Sequence, residues 1–390
     1  MYIIFWVSLF IIFYTYIGYG IVLYAMIKIK RLFVKPTQLV DGSFTPSLTL
    51  IVAAYNEASV IEEKIQNTLQ LLYPKDKLQL IFVTDGSTDD TPNVIAKYPQ
   101  IKLLHKDGRS GKINAVHRAM GEVNTEIVVF TDANTFLNEN ALLRIAKHYV
   151  NPKVGAVSGE KRVAIEVNAD ATAGEGFYWK YESALKKWDA ELYSVVGAAG
   201  ELFSVRTDLY VAVEPDTLLD DFMISMKIAM KGYKIAYDAD AYAMESSSEN
   251  LKEEYKRKVR IASGGIQSII RTSKLFNPFF MPLLGFQYVS HRVLRWTITP
   301  FLMILVVFVN AYLLVDNFNW LIAIIMVGQV GFYSLAALGW LLERKEVRIK
   351  ILFIPYYFCF MNYCVLVGIY RYFFTQKSSV LWDKAKRKQG

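Results

Sequence analysis

From Tyr2 to Ile27 no residue carries a formal charge. No feature of the chain constrains its fold more. Coiled as a helix rising about 1.5 Å per residue, this run crosses a hydrocarbon core of roughly 30 Å. The cations Lys28, Lys30, Arg31 and Lys35 follow it rather than precede it, the reverse of a cleavable signal, which predicts an uncleaved anchor with its downstream side in the cytoplasm. Three further apolar stretches, 301–315, 320–342 and 351–374, are separated by the cation-free turn 316–319 and the charged stretch 343–350. Alternation puts that turn outside and Arg344, Lys345, Arg348 and Lys350 inside, as the positive-inside rule requires. The tail cations Lys377, Lys384, Lys386, Arg387 and Lys388 then fall outside, so the last stretch, holding Pro355, Asn362 and Arg371, is either a span or a re-entrant segment. The 53% hydrophobic content is gathered in these stretches, leaving an ordinary globular composition between them. The net charge of +8 sits largely beside them, where it meets membrane lipid headgroups, and nucleic acid is not an expected partner. Cys359 and Cys364, the only cysteines, lie off a common helical face and predict neither a disulfide nor a metal site.

Between the apolar ends, short β-branched runs alternate with amphipathic stretches, the pattern of a largely parallel α/β sheet. Strands are expected at 47–53, 78–84, 101–105 and 126–131, and helices at 57–72, 89–97, 111–121 and 139–150. Ligands of open α/β sheets bind beyond the carboxyl ends of the strands. Here those ends run into Ala54, Tyr55, Asn56 and Glu57, into Asp85, Gly86 and Asp89, and into Asp132 and Asn134. Each has a plain alternative, since Asn56 and Asp89 can cap helices and Asp85-Gly86 can be a simple turn. The basic loop 106–112, ending on Lys112, opens a helix and suits a diphosphate, or is solvated surface. Asp220 and Asp221 open another helix, whose positive end they complement in any case. Adjacent carboxylates repel, which predicts a raised proton affinity at Asp221. Gly197, Ala199, Gly200 and Glu201 form a small-residue segment, either a packed bend or a close approach for a ligand. Phe177, Tyr181 and Trp188 share helical spacing and read first as packing.

Taken together, AAYNE at 53–57, DGSTDDT at 85–91, GRSGKINA at 108–115, FTDAN at 130–134, GAAGELFSVR at 197–206, LLDDFMIS at 218–225, KGYKI at 231–235 and RKVRIASGG at 257–265 resemble glycosyltransferase family 2. That family includes the membrane-bound cellulose, hyaluronan and poly-N-acetylglucosamine synthases. The resemblance implies a GT-A-like nucleotide-sugar-binding domain, an α/β fold with a mostly parallel mixed sheet flanked by transmembrane helices. By the same resemblance Ala54, Tyr55, Asn56, Glu57 and Asp85 contact the nucleoside. Lys112 contacts base or phosphates, and Arg257 and Arg260 hold the diphosphate. Asp132, with Asn134 in place of the family's second aspartate, would bind a divalent metal, Mg or Mn. Asp221 matches the general base, with Asp220 where a glutamate is usual. Gly197, Ala199, Gly200 and Glu201 line the acceptor side. At 257–261 the processive pattern begins with glutamine and ends with tryptophan, whereas Arg257 and Ile261 stand here.

The resulting layout is an N-terminal transmembrane helix over 1–30, a cytoplasmic catalytic domain over 46–275, an amphipathic interface segment over 276–298, a C-terminal membrane region over 299–374 and a basic tail over 375–390. His291, beside Arg292, is expected at the headgroup boundary. The expected activity is inverting transfer from a nucleotide sugar, of the UDP class, to a glycan acceptor, building a cell-surface or extracellular polysaccharide at a bacterial inner membrane, with export or synthase partners. Single-sugar transfer to a lipid-linked acceptor, and a noncatalytic membrane subunit of a synthase, are the competing readings.

Overall fold

A computed structural model describes residues 1–34, 44–163, 172–245, 251–343 and 349–375, without the side chains of 172–179 and Lys350. Lys35, the 344–348 turn with Arg344, Lys345 and Arg348, the tail cations and the Phe177 side chain therefore lie outside the described residues. Two compact units emerge. One comprises 30–34, 44–163, 186–245 and 251–253, and the other 1–29, 172–185, 254–343 and 349–375.

In the first unit, eight strands form one sheet among the described residues: β1 Leu48–Ala54, β2 Leu78–Asp85, β3 Lys102–Lys106, β4 Ile127–Asp132, β5 Thr135–Leu137, β6 Val154–Val163, β7 Leu202–Arg206 and β8 Lys234–Glu245. Their order is β3-β2-β1-β4-β7-β6-β8-β5. β1 is buried along its whole length, as a central strand with parallel neighbours on both sides must be. Helices Ile61–Leu69, Thr91–Ala96 and Lys112–Met120 carry the chain between the parallel strands β1 to β4. Ile61 and Ile65 pack with Leu50, Val52, Phe82 and Val129 in the main core, each such side chain contributing about 1.5–3 kcal/mol by leaving water. β7 runs antiparallel to both β4 and β6, so the sheet is mixed. Register aligns Ala54 with Thr84, Ala53 with Asp132 and Asp85 with Lys106, which brings the carboxyl ends of β1 to β4 to one edge.

The four expected strands are present within a residue. The expected helix over 57–72 shortens because Glu57 O accepts the amides of Val60 and Ile61, making a turn before helix Ile61–Leu69 begins. Residues 139–150 form a short helix, Ala141–Ala146, and then a 3-10 turn, Lys147–Val150.

Among the described residues, four helices are long and apolar enough to cross a membrane: Tyr2–Phe33, Ile298–Asp316, Trp320–Glu343 and Ile351–Phe374, with mean hydropathy between 1.7 and 2.4. This is a membrane protein. The last helix runs unbroken through Pro355 over Lys350–Phe374, a length sufficient to span. In the second unit, hydrogen bonds join separate helices: Thr15 Oγ1 lies 3.1 Å from Thr299 Oγ1, and Tyr16 OH donates to Asn362 Oδ1 at 2.6 Å. Glu182, on helix Thr172–Leu192, is buried against His291 Nε2 at 3.1 Å, Arg292 Nη1 at 2.8 Å and Arg295 Nη1 at 2.9 Å. Burial alone would raise its pKa, but Arg292, His291 and Arg295 hold it well below the usual carboxylate range. His291 is thus a buried partner of a carboxylate, 1% exposed.

Candidate functional site

The loops leaving β1 and β2 are stitched to each other. Asn56 adopts a left-handed backbone, φ 51°, which its short amide side chain tolerates. Its Oδ1 accepts the Thr88 amide at 2.8 Å, and its own amide donates to Ser87 Oγ at 3.3 Å. Glu57 is buried, and its amide donates to Thr91 Oγ1 at 2.9 Å. Asp89 accepts the amides of Thr91 and Ala58 and so ties the two loops, while Asp90 takes the N-cap position of the helix.

Asp85, at the end of β2, organises the basic loop. Its Oδ2 accepts the amides of Ser110 and Gly111, both at 2.6 Å, while Arg118 Nη1 stands 3.5 Å from Oδ1. Gly86 makes this approach possible: its φ is +67°, and a Cβ there would stand 2.8 Å from the Arg109 Cα. Arg109 in turn lays its guanidinium 4.1 Å over the Tyr55 ring. Ala54, Tyr55, Asp85, Arg109 and Lys112 thereby line one small cleft.

A second cleft lies on the other side of Lys112, lined also by Asp132, Gly200, Phe203 and Asp220. Lys112 Nζ donates to Asp132 Oδ1 at 2.8 Å and stands 3.7 Å from Asp220 Oδ2. Burial pulls against the charged amine, but Asp132, Asp220 and Asp221 outweigh it and hold Lys112 well above the ordinary lysine range. Asp220 and Asp221 open helix Asp220–Ala229. Burial first, then the charge of Asp220, raises Asp221 to about 7 despite Lys112 nearby. This is the direction that adjacency predicts. Gly200 faces Asp221 so closely that a Cβ on it would stand 3.1 Å from the Asp221 Oδ2. Ala199 donates its amide to Ser158 Oγ at 3.2 Å, and Gly197 takes a positive φ of 78°. Glu201 turns its carboxylate onto Lys161 Nζ at 2.5 Å.

Asn134 follows Asp132 by two residues in the turn between β4 and β5. Among the described residues no three His, Cys, Asp or Glu side chains form a metal cluster. Two hard oxygen donors on one turn nevertheless fit a divalent ion that takes its remaining ligands from phosphate and water. Arg257 and Arg260 lie on helix Leu251–Arg271 in the unit of apolar helices, where Arg257 Nη2 pairs with Glu254 Oε1 at 3.0 Å.

Sequence reading passed over Lys64 and held Arg109 only as part of the basic loop 106–112. Lys64 occupies the apolar stripe of its helix between Ile61 and Ile65 and is fully buried, and a lysine on such a stripe is itself a signal. The stacking of Arg109 on Tyr55 had none, because it joins two loops that only the fold brings together.

Residues 49–211 match the family described as glycosyl transferase family 2. The match covers less than half of the chain and holds β1 to β7 with the Asp85, Lys112 and Asp132 side chains. Poly-beta-1,6-N-acetyl-D-glucosamine synthase of Staphylococcus aureus (strain COL) is 27% identical over 234 residues, 57% of this chain and 56% of that protein. The synthase of the same name from Staphylococcus epidermidis is 25% identical over 235 residues, with the same shares. The chain thus spans just over half the length of the curated relatives it matches. Among solved structures, the mannosyltransferase PcManGT from Pyrobaculum calidifontis in complex with GDP-Man and Mn2+ superposes with a TM-score of 0.70, covering 96% of this chain and 99% of that one at 22% identity. The chain therefore has a GT-A-like fold with a mixed sheet.

Proposed function

We propose that the chain is a membrane glycosyltransferase that moves a sugar from a nucleotide-sugar donor, of the UDP class, onto a growing glycan acceptor. The observation that carries this reading is the meeting of Lys112, Asp132 and Asp220 at one cleft, with Asp221, a carboxylate of raised proton affinity, against the Gly200 of its lining. Tyr55, Asn56, Glu57 and Asp85 form the nucleoside side, with Arg109 beside Tyr55. Asp132 and Asn134 would hold a divalent ion, which neutralises charge on the leaving diphosphate. Asp221 takes the proton of the acceptor hydroxyl as that oxygen attacks the anomeric carbon from the face opposite the diphosphate. The new glycosidic bond forms as the bond to the diphosphate breaks, inverting the anomeric centre, and Lys112 receives the negative charge on the departing group. Gly197, Ala199, Gly200 and Glu201 form the acceptor side.

The relatives are named as synthases of a polymer, which supports polysaccharide synthesis; the place proposed for it, a bacterial inner membrane with the domain in the cytoplasm, rests on the cations that follow the first apolar run. Substitution at Arg257 and Ile261 keeps transfer of one sugar to a lipid-linked acceptor as the second reading. Incubating the purified protein with UDP-N-acetylglucosamine, other UDP-sugars and GDP-mannose, with Mg2+ or Mn2+, separates them: a ladder of products supports polymerisation and a single increment supports lipid modification. Absence of turnover with every donor, while nucleotide still binds, would favour a noncatalytic subunit.

A further inference from the structure

Lys64 has 0% exposure, on a helix face otherwise filled by Ile61, Ile65 and Thr68. An ammonium carried out of water is retained only where fixed partners replace its hydration. Its Nζ donates to the Thr135 carbonyl at 2.6 Å and to Thr131 Oγ1 at 3.3 Å. Those two threonines flank the turn that presents Asp132 and Asn134. The Thr131 hydroxyl donates onward to the Glu201 carbonyl at 2.8 Å, and the Thr135 hydroxyl donates to the Asp132 carbonyl at 3.0 Å. One amine therefore grips both shoulders of the turn from behind, and one hydroxyl joins that turn to the segment beside Gly200. Burial lowers Lys64 to about 7, and the charge of Asp132 opposes that fall.

We propose that Lys64 is a positioning residue, whose buried amine braces the turn bearing Asp132 and Asn134 and, through Thr131, locks the Glu201 backbone to it, so that donor side and acceptor side keep one fixed spacing. This rests on the reading of Asp132 as a donor-side residue. Lys64 itself touches no substrate. Its substitution acts through the orientation of Asp132, which the dependence of nucleotide binding on the metal reports.

The test uses the full chain in detergent, with UDP and GDP as probes, and measures their binding calorimetrically across a Mn2+ titration alongside sugar transfer. Lys64→Met keeps the side-chain volume and removes the amine; Thr131→Val removes the hydroxyl. Each is expected to weaken Mn2+-dependent nucleotide binding about tenfold or more and to raise the Mn2+ concentration at half-saturation. The double variant is expected to lose less than the product of the two single effects, because both cut one network. A core-packing role alone would lower the unfolding temperature and leave the Mn2+ midpoint of the folded fraction unchanged, which overturns the proposal, as would fully multiplicative losses. Should Lys64→Met fail to fold, Thr131→Val decides by the same midpoint. Asp132→Asn separates the two levels of inference. If it abolishes Mn2+-dependent nucleotide binding while Lys64→Met and Thr131→Val do not disturb it, the bracing fails alone; if it leaves that binding intact, the donor-site reading fails too.

Discussion

With its carboxyl raised to about 7, Asp221 is largely protonated in mildly acidic solution and becomes a proton acceptor only as the pH climbs past that value. Sugar transfer should therefore fall as the pH drops below 7, measured as the acidic limb of kcat/KM. Asp220 is the second cause of the raised value, so Asp220→Asn should move that limb to lower pH. Asp221→Asn should reduce kcat by roughly 10²–10⁴-fold while nucleotide affinity, measured calorimetrically, stays close to that of the native chain. On the proposed mechanism the pair of carboxylates would thus divide into one group that takes the proton and one that sets when it can.

At the scale of elements, two amides of the loop before helix Lys112–Met120 share the Asp85 carboxylate. Asp85→Ala removes the acceptor of the Ser110 and Gly111 amides, hydrogen bonds to a charged group worth about 1.5–3 kcal/mol each, and should raise the KM for the donor more than it lowers kcat. Gly200→Ala should do the reverse, because the added methyl meets the Asp221 carboxylate and leaves the nucleoside side untouched; steady-state kinetics with saturating donor would read the loss in kcat. These same elements mark how far the sequence can be read. Strands β1 to β4 were legible because each is a short β-branched run ending on polar residues, and their parallel register then forces Ala54, Asp85 and Asp132 to one edge. Strands β6 to β8 carry charged and small residues, such as Glu160 and Lys161, whose pairing along the chain depends on partners far away in sequence. Burial of His291 was illegible for the same reason: Glu182, which holds it, lies 109 positions earlier.

At the scale of the molecule, the unit of apolar helices encloses a carboxylate it cannot spare. Glu182→Gln would leave His291, Arg292 and Arg295 gathered without their counter-charge, at a cost of about 3–5 kcal/mol, seen as a lower unfolding temperature in detergent. The four long apolar helices predict that the chain stays in the membrane pellet after an alkaline carbonate wash. The chain as a whole carries a net charge of +8, yet its central cleft sets one ammonium, Lys112, against three carboxylates. On the proposed reading, that local imbalance would make the cleft a sieve for total charge. A bare nucleoside diphosphate would meet repulsion at Asp132, Asp220 and Asp221, whereas the same molecule escorted by its own cation would not, so arrivals would be sorted before any sugar is recognised.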